Sequence, residues 1–528
     1  MRTMLLASAA VAALATATQA DPIKFTSVGP TLAGDVLAPG FAERIVAEGS
    51  FKLENPSEWL AYYGYGADGP IKPKKGDKQT RDHNVEATKT EPDKNTYLVL
   101  DGATGPRKGY NYGTHFLFQG HENGPVDKDG VARGELTRIN LDAPVSHRVT
   151  LMADTDVNGK PLPLIDGSAW DPFAQVLLLT SEEGTDGGVW AATVDYPSKV
   201  VDLSAVTGRA AYEGVQIDPD GNIWLVEDAG GSGGPTTKNA KQPNSFVYRF
   251  IPRFRDDLAA GGTLQALQVL DGYGKPIVFH AGQAEADILA PEQRLLYGYG
   301  NELQTRWVTV KETDGTGEPF DANALAKAAM ATPFKRPENG QFRPGSSFKE
   351  FYFTATGDTN AKTEAGVLYG GFGGVFKITQ SGGPSANKGT ISIVFRGDAG
   401  RTGFDNLSFL DGNQLLIVED GGDKLHAQRD AFDAGYVLDV TVDYAAKDPT
   451  RFLAIARDDM AALDVSLAGS DGFQNEGDNE ITGIHVSDGD PTIAGLIGTN
   501  VPTPFDGKWR LFFTRQHGRN DTFEIVKN

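Results

Sequence analysis

Apolar and polar positions along the chain alternate in short runs broken by Gly, Pro, Asp and Asn. The clearest stretch is 212–231, YEGVQIDPDGNIWLVEDAGG. An apolar run at 214–217 meets the turn Asp218-Pro219-Asp220-Gly221-Asn222, a second run follows at 223–226, and then come Glu227 and Asp228. β-Branched and aromatic residues flanking that turn chemistry predict a β-hairpin. Antiparallel pairing sets the start of the first strand beside the end of the second. Glu213 and the Glu227/Asp228 pair therefore belong at one end, away from the turn.

The same pattern recurs. In 404–423 Asp405 opens the first strand, Asp411-Gly412-Asn413 turns, and Glu419/Asp420 close the second. In 168–184 Asp171-Pro172 turns and Glu182/Glu183 close. Residues 284–302, with Glu285 and Glu302, and 479–497, with Glu480, read as further hairpins. Strand signals also stand at 96–100, 115–118, 136–141, 148–152, 176–180 and 189–194, and continue to the neighbourhood of 523. Repeats of this size imply a radial or stacked array. The expectation is an all-β fold, a β-propeller of about six blades with long loop and short helical insertions. Residues 232–244 and 420–433 read as loops, 321–331 and the region near 457–463 as short helices. Residues 21–95 read as an irregular lead-in, its Lys-rich part at 68–95 as a surface loop. Nothing after residue 20 marks a boundary, so 21–528 reads as one propeller domain; the 64 glycines suit many turns.

Charge narrows the partners. With 70 acidic and 49 basic residues the net charge is −21, which repels nucleic acid and anionic membranes but attracts cations. Residues 1–20 carry one basic residue, an apolar stretch and a small-residue end, the pattern of a signal peptide cleaved before Asp21. Without an Arg-Arg pair the general secretory route is expected, placing the protein in the periplasm or outside the cell. No integral membrane segment is expected in the mature chain, and a monomer is expected. Cysteine is absent, so any metal must take oxygen or imidazole ligands.

The acids at hairpin ends are the main candidates for chemistry: Glu122, Glu182, Glu183, Glu213, Glu227/Asp228, Glu302, Glu338, Asp405, Glu419/Asp420 and Glu480. In a propeller, equivalent ends face one mouth of the channel. Carboxylates converging there cannot all ionise without a counter-charge, and Ca2+ accepts many oxygen ligands in a tolerant geometry. Taken singly, each acid reads first as a turn cap or a solvent-facing side chain; the recurring set does not. Arg336-Pro337-Glu338 offers a fork for phosphate or carboxylate beside an acid, as it also would for a surface ion pair. His121 and His517 follow strands and border Gly, so either can reach a channel mouth, His517 more so; His485 reads as a strand residue. Gly370 to Gly374 reads as a strand bend, and Ser181 has no evident base. Nucleophile-elbow, zinc-helix and P-loop motifs are absent.

The stretches LLLTSEEG (177–184), YEGVQIDPDGNIWLVEDAG (212–230), FVYRFIP (246–252), KRPENG (335–340), FDNLSFLDGNQLLIVEDGGD (404–423), NEITGIHVS (479–487) and LFFTRQHGRN (511–520) together resemble the PhoX-type alkaline phosphatases. The resemblance implies an exported propeller with a mixed iron and calcium centre that hydrolyses small phosphate monoesters. By position it implies Glu182, Glu183, Glu213, Glu338, Asp405 and Glu480 as metal ligands and Arg336 as the phosphate-binding group. The hairpin pattern adds Glu122 and Glu419 to the ligands, and Glu338 and His517 stand with Arg336 as catalytic candidates. Two departures bear on the metal: Ser181 stands where the family has an iron-binding Cys, and no twin-arginine signal is present. Ca2+ is therefore the expected cofactor, and Fe3+ is disfavoured. Two alternatives remain. One is a calcium-dependent lactonase-like hydrolase, whose pattern Glu213-Gly214 and Asp405-Asn406 would fit. The other is a non-catalytic propeller with structural calcium.

Overall fold

A computed structural model describes residues 21–28, 34–67, 69, 88–457 and 480–528. The signal-peptide segment, most of the Lys-rich stretch and the helix expected near 457–463, apart from Arg457, lie outside the described residues. Among those described, strands form six antiparallel blades around one axis. Two short strands, β1 (Val36–Leu37) and β2 (Phe41–Ala47), precede them. Blade 1 is β3 (Pro92–Val99), β4 (His115–His121), β5 (Leu136–Asn140) and β6 (Val149–Ala153). Blade 2 is β7 (Ser168–Asp171), β8 (Val176–Ser181), β9 (Gly188–Ala192) and β10 (Val200–Asp202). Blade 3 is β11 (Tyr212–Ile217), β12 (Ile223–Glu227), β13 (Val247–Phe254) and β14 (Asp257–Val269). β15 (Leu303–Thr313) then bridges β14 to the outer strand of blade 4, fusing the two blades into one nine-stranded sheet. Blade 4 is β16 (Pro337–Phe342), β17 (Glu350–Ala355), β18 (Gly374–Gln380) and β19 (Lys388–Arg396). Blade 5 is β20 (Phe404–Phe409), β21 (Gln414–Glu419), β22 (Ala434–Asp439) and β23 (Thr450–Ala454), extended by β1. Blade 6 is β24 (Ile481–Ser487), β25 (Arg510–Arg515) and β26 (Asp521–Lys527).

The fourth strand of blade 6 is β2, paired antiparallel to β26 from Phe41↔Lys527 onward. The lead-in is thus part of the fold: it closes the ring by tying the start of the chain to its end. The inner strands β3, β7, β11, β16, β20 and β24 touch their neighbours in turn around the axis. Apolar clusters fill the wedges between blades, such as Leu98, Phe118, Leu177 and Trp190 between blades 1 and 2. Leu416, Ile484 and Phe513 do the same between blades 5 and 6. Burying side chains of this size stabilises by about 1.5–3 kcal/mol each, and this packing holds the axis rigid.

Several expectations are corrected. Residues 284–302 form no hairpin but two short helices, Ala284–Ile288 and Pro291–Leu296, the second started by Pro291 at its first turn. Glu285 accepts from Thr236 at the surface, and Glu302 is exposed. β24 pairs not within 479–497 but with the distant β25, Ser487 facing Arg510. The segment after Asp420 is not all loop: Gly422–Arg429 is helical. The part of 68–95 that is described from Lys89 onward is buried, because β3 is the inner strand of blade 1. The helix expected at 321–331 is observed as Ala322–Ala328, N-capped by Asp321.

Candidate metal centre at the propeller mouth

The inner strands share a local device. Five of them, β3, β11, β16, β20 and β24, slip register by a bulge near their start, as between Pro92 and Asn95, Tyr212 and Val215, Pro337 and Gly340, Phe404 and Leu407, and Thr482 and His485. A bulge inserts an extra residue and re-aims side chains. In the first four the first of the two residues inside it is Asp93, Glu213, Glu338 or Asp405. Opposite each bulge the second strand ends, and the next residue is Glu122, Asp228, Thr356 or Asp420. The blades come very close here: a Cβ on Gly214 would lie 2.7 Å from Asn339 Cα and Glu338 O. Hydroxyls stitch the ring together, Thr180 donating to the Glu213 carbonyl of the next blade and Thr354 to that of Asp405.

The result is a chain of carboxylates round the mouth. Four triads have ligand oxygens within 4.8 Å of one another: Asp93–Glu122–Glu480, Glu122–Asp166–Glu182, Glu182–Glu213–Asp228 and Glu213–Glu338–Asp405. Shared members link them into one arc. Burial, and then neighbouring carboxylates, push Asp93, Glu122, Asp166, Glu182, Glu213, Glu338 and Glu480 well above the usual carboxylate range. Asp405 is pushed up to about 6, chiefly by burial.

The oxygens are also under-used. Glu213 Oε1 accepts from Asn339 (2.9 Å) and Asp405 Oδ1 from Asn406 (2.7 Å). Glu213 Oε2 and Asp405 Oδ2 are buried with no hydrogen-bond partner. Buried polar atoms left unpaired are costly, and in an all-oxygen site a hard divalent cation is the natural partner. The residues present therefore fit Ca2+. They do not fit an iron–thiolate centre, since the chain has no cysteine.

Arg336, His517 and Lys94 are basic groups that border the ring. Arg336 forms a two-pronged pair with Asp228, Nε–Oδ1 at 2.8 Å, and lies 3.4 Å from Glu338. Asp228 and Glu338 outweigh burial and raise its pKa further. Its backbone is left-handed, φ 56°, which a non-glycine residue seldom adopts without a local constraint. His517, also left-handed at φ 64°, lies between Glu91 (3.1 Å) and Glu480 (3.3 Å). Lys94 sits on the axis, its Nζ donating to Asn406 Oδ1 (2.7 Å) and Ile484 O (3.0 Å).

Of the residues singled out from sequence, Glu122, Glu182, Glu213, Glu338, Asp405 and Glu480 come together. Glu183 does not: it is exposed on the rim. Nor does Glu419, whose carboxylate is taken up by Arg429 and the N–H groups of Thr402 and Ala434. His121 lies behind the ring, bonded to Thr90 and Thr137 and 3.3 Å from Glu135. Asp93, Asp166 and Lys94 were missed. Glu91-Pro92-Asp93 repeats the form of Arg336-Pro337-Glu338 on the opposite blade, down to a left-handed first residue (φ 48°), and that echo was visible. Asp166 carried no such signal.

Fold and site define a six-bladed propeller with a buried carboxylate arc at one mouth. A model of the alkaline phosphatase PhoX family matches residues 236–496. Among solved structures, PhoX of Pseudomonas fluorescens in complex with vanadate, a transition-state analogue, superposes with a TM-score of 0.54 at 12% identity, covering 95% of this chain and 98% of that one. At that identity the likeness shows the fold alone. A gluconolactonase from Xanthomonas campestris aligns at a TM-score of 0.31 and 11% identity, over 83% of this chain and 97% of its own. No curated protein matches the chain.

Proposed function

We propose that this protein hydrolyses phosphate monoesters at the propeller mouth with the help of divalent cations, Ca2+ foremost. Glu122, Asp166, Glu182, Glu213, Glu338, Asp405, Glu480 and Asp93 would hold the ions. Bound there, such ions polarise phosphoryl oxygens and lower the pKa of water. The observation that carries the reading is Arg336. Asp228 clamps its Nε and Nη2, and among the described residues Nη1 has no partner, on a side chain 17% exposed at the mouth. A fixed, partly exposed guanidinium above an acid arc suits an anion that arrives with or between cations. Lys241 lies close enough that Arg336, after burial, lowers its pKa, so a second cation faces the same region. We assign His517, held at the mouth between Glu91 and Glu480, the protonation of the leaving oxygen. Export to a calcium-rich compartment would suit such a site, as would vanadate in the Pseudomonas fluorescens relative.

The lactonase-like alternative would have Asn406 offer its carbonyl oxygen to calcium, and that oxygen accepts from Lys94. The test is hydrolysis of p-nitrophenyl phosphate by the mature protein with Ca2+, with and without chelator, across a broad pH range. Chelator-sensitive turnover is expected; its absence at every pH sinks the reading. Sugar lactones serve as the control substrate class.

A further inference from the structure

Lys94 follows Asp93 on β3, and its residue is 5% exposed. Its ammonium is held from two other blades, by Asn406 of β20 and the Ile484 carbonyl of β24. The carboxylates whose field it feels, Asp405, Asp93, Glu213 and Asp166, come from blades 5, 1, 3 and 2. Only a group on the axis can be surrounded in this way. Below it the cavity is lined by Thr96, Ser168, Gln216, Gln341 and Ser408, with His485 and a single acid, Asp490, so among the described residues no cluster of carboxylates like that of the arc stands on that side. Asn406 spends its oxygen on Lys94 and its amide N–H groups on Asp405 Oδ1 and Thr482 Oγ1 (3.1 Å). Asp93 accepts one hydrogen bond on each oxygen, from Thr482 and Gln516, each at 2.7 Å. The floor of the acid arc is therefore already supplied with donors, whereas Glu213 Oε2 and Asp405 Oδ2 have none.

We propose that Lys94 is a tethered cation that takes the place of a metal ion on the propeller axis, stoppering the channel and confining exchangeable divalent ions to the mouth side of the arc. It is a positioning residue: through Asn406 it also orients Asp405. The inference rests on the arc being a cation site but uses no step of the phosphoesterase reading.

The test counts calcium. Wild type, Lys94→Met and Lys94→Gln are loaded with Ca2+, desalted and measured by elemental analysis and calorimetric titration. Each neutral variant is expected to bind one more Ca2+ per chain than wild type, to melt lower than wild type in chelator, and to recover with Ca2+. An unchanged or smaller count in a folded variant overturns the proposal. Should the variants fold only with calcium present, they are counted in that state. A crystal structure of unaltered protein grown in Ca2+ gives an independent reading. The ammonium is expected on Asn406 Oδ1, and a calcium ion at about 2.3–2.6 Å from that oxygen overturns the assignment. Wild type that binds no ion while the neutral variants bind one would uphold the stopper and remove the metal requirement from the phosphoesterase reading. Unimpaired binding counts with no hydrolysis would do the same for activity.

Discussion

Blades 3 and 5 end their second strands with the same dipeptide, Glu227-Asp228 and Glu419-Asp420. Successive residues at a strand end point to opposite sides. Each glutamate turns off-axis into a nest of donors. Glu227 accepts from Phe246 N (3.0 Å), Tyr248 Oη (3.0 Å) and Asn323 Nδ2 (2.8 Å). Glu419 accepts from Thr402 N and Ala434 N (3.0 Å each) and from Arg429. Each aspartate turns to the mouth, Asp228 to Arg336 and Asp420 into the field of Glu122, Glu182 and Glu480. Identical letters thus hold one residue that builds the blade and one that builds the site. What separates them is the partner: the glutamates are hydrogen-bonded within their blades, whereas Asp228 pairs with Arg336 at the mouth and Asp420 lies in the field of the arc's carboxylates.

The largest effect should come from the blade-building half. Glu419→Ala leaves Arg429, 4% exposed, with Asp433 as its one remaining carboxylate, and strands two N–H groups. It should cost about 3–5 kcal/mol in urea unfolding, equally with and without Ca2+. Asp420→Ala should cost far less in chelator, and equal losses for the two would erase the distinction. On the mouth side, Arg336→Gln should lower kcat/KM for a phosphate monoester by about 10²–10³, with unfolding in Ca2+ little changed. Next, Glu213→Gln should weaken Ca2+ binding by about tenfold or more in calorimetry while stabilising the chelated protein, because it removes one of several crowded charges.

The smallest is a pH slope. Asp405 is pushed up to about 6 and Glu227 and Glu419 to about 7, in each case first by burial. A carboxyl with a raised folded pKa keeps its proton where the unfolded chain has lost it. The folded state then binds more protons, so stability falls as pH rises from the ordinary carboxylate range to about 7. In chelator the melting temperature should drop across that window. Ca2+ should cancel the share of the arc and leave that of Glu227 and Glu419; Glu227→Gln should shrink what remains.

Local signals carried much of this. The hairpins at 168–184, 212–231 and 404–423 were legible because turn residues and strand-forming residues alternate within a few positions. The false hairpin at 284–302 shows the limit: its apolar spacing also suits two helical turns, and Pro291 tips it that way. β2 was illegible because its partner β26 lies at the other end of the chain. Asp93 was not anticipated and Glu419 turned away because the side to which a strand-end residue points depends on the bulge and the register, whereas Asp166 and Glu183 lie just outside β7 and β8, where no strand pattern sets their direction.

The amino-acid order by itself determined the repeating unit, the all-β class and the supply of acids at hairpin ends, since these depend on neighbours in the chain. Only the closed ring decided which acids meet, that Asp228 rather than Glu227 faces Arg336, and that Lys94 reaches the axis. Those outcomes depend on bulges that re-aim side chains and on blades distant in sequence meeting at one line, where burial turns a list of carboxylates into a site that needs positive charge.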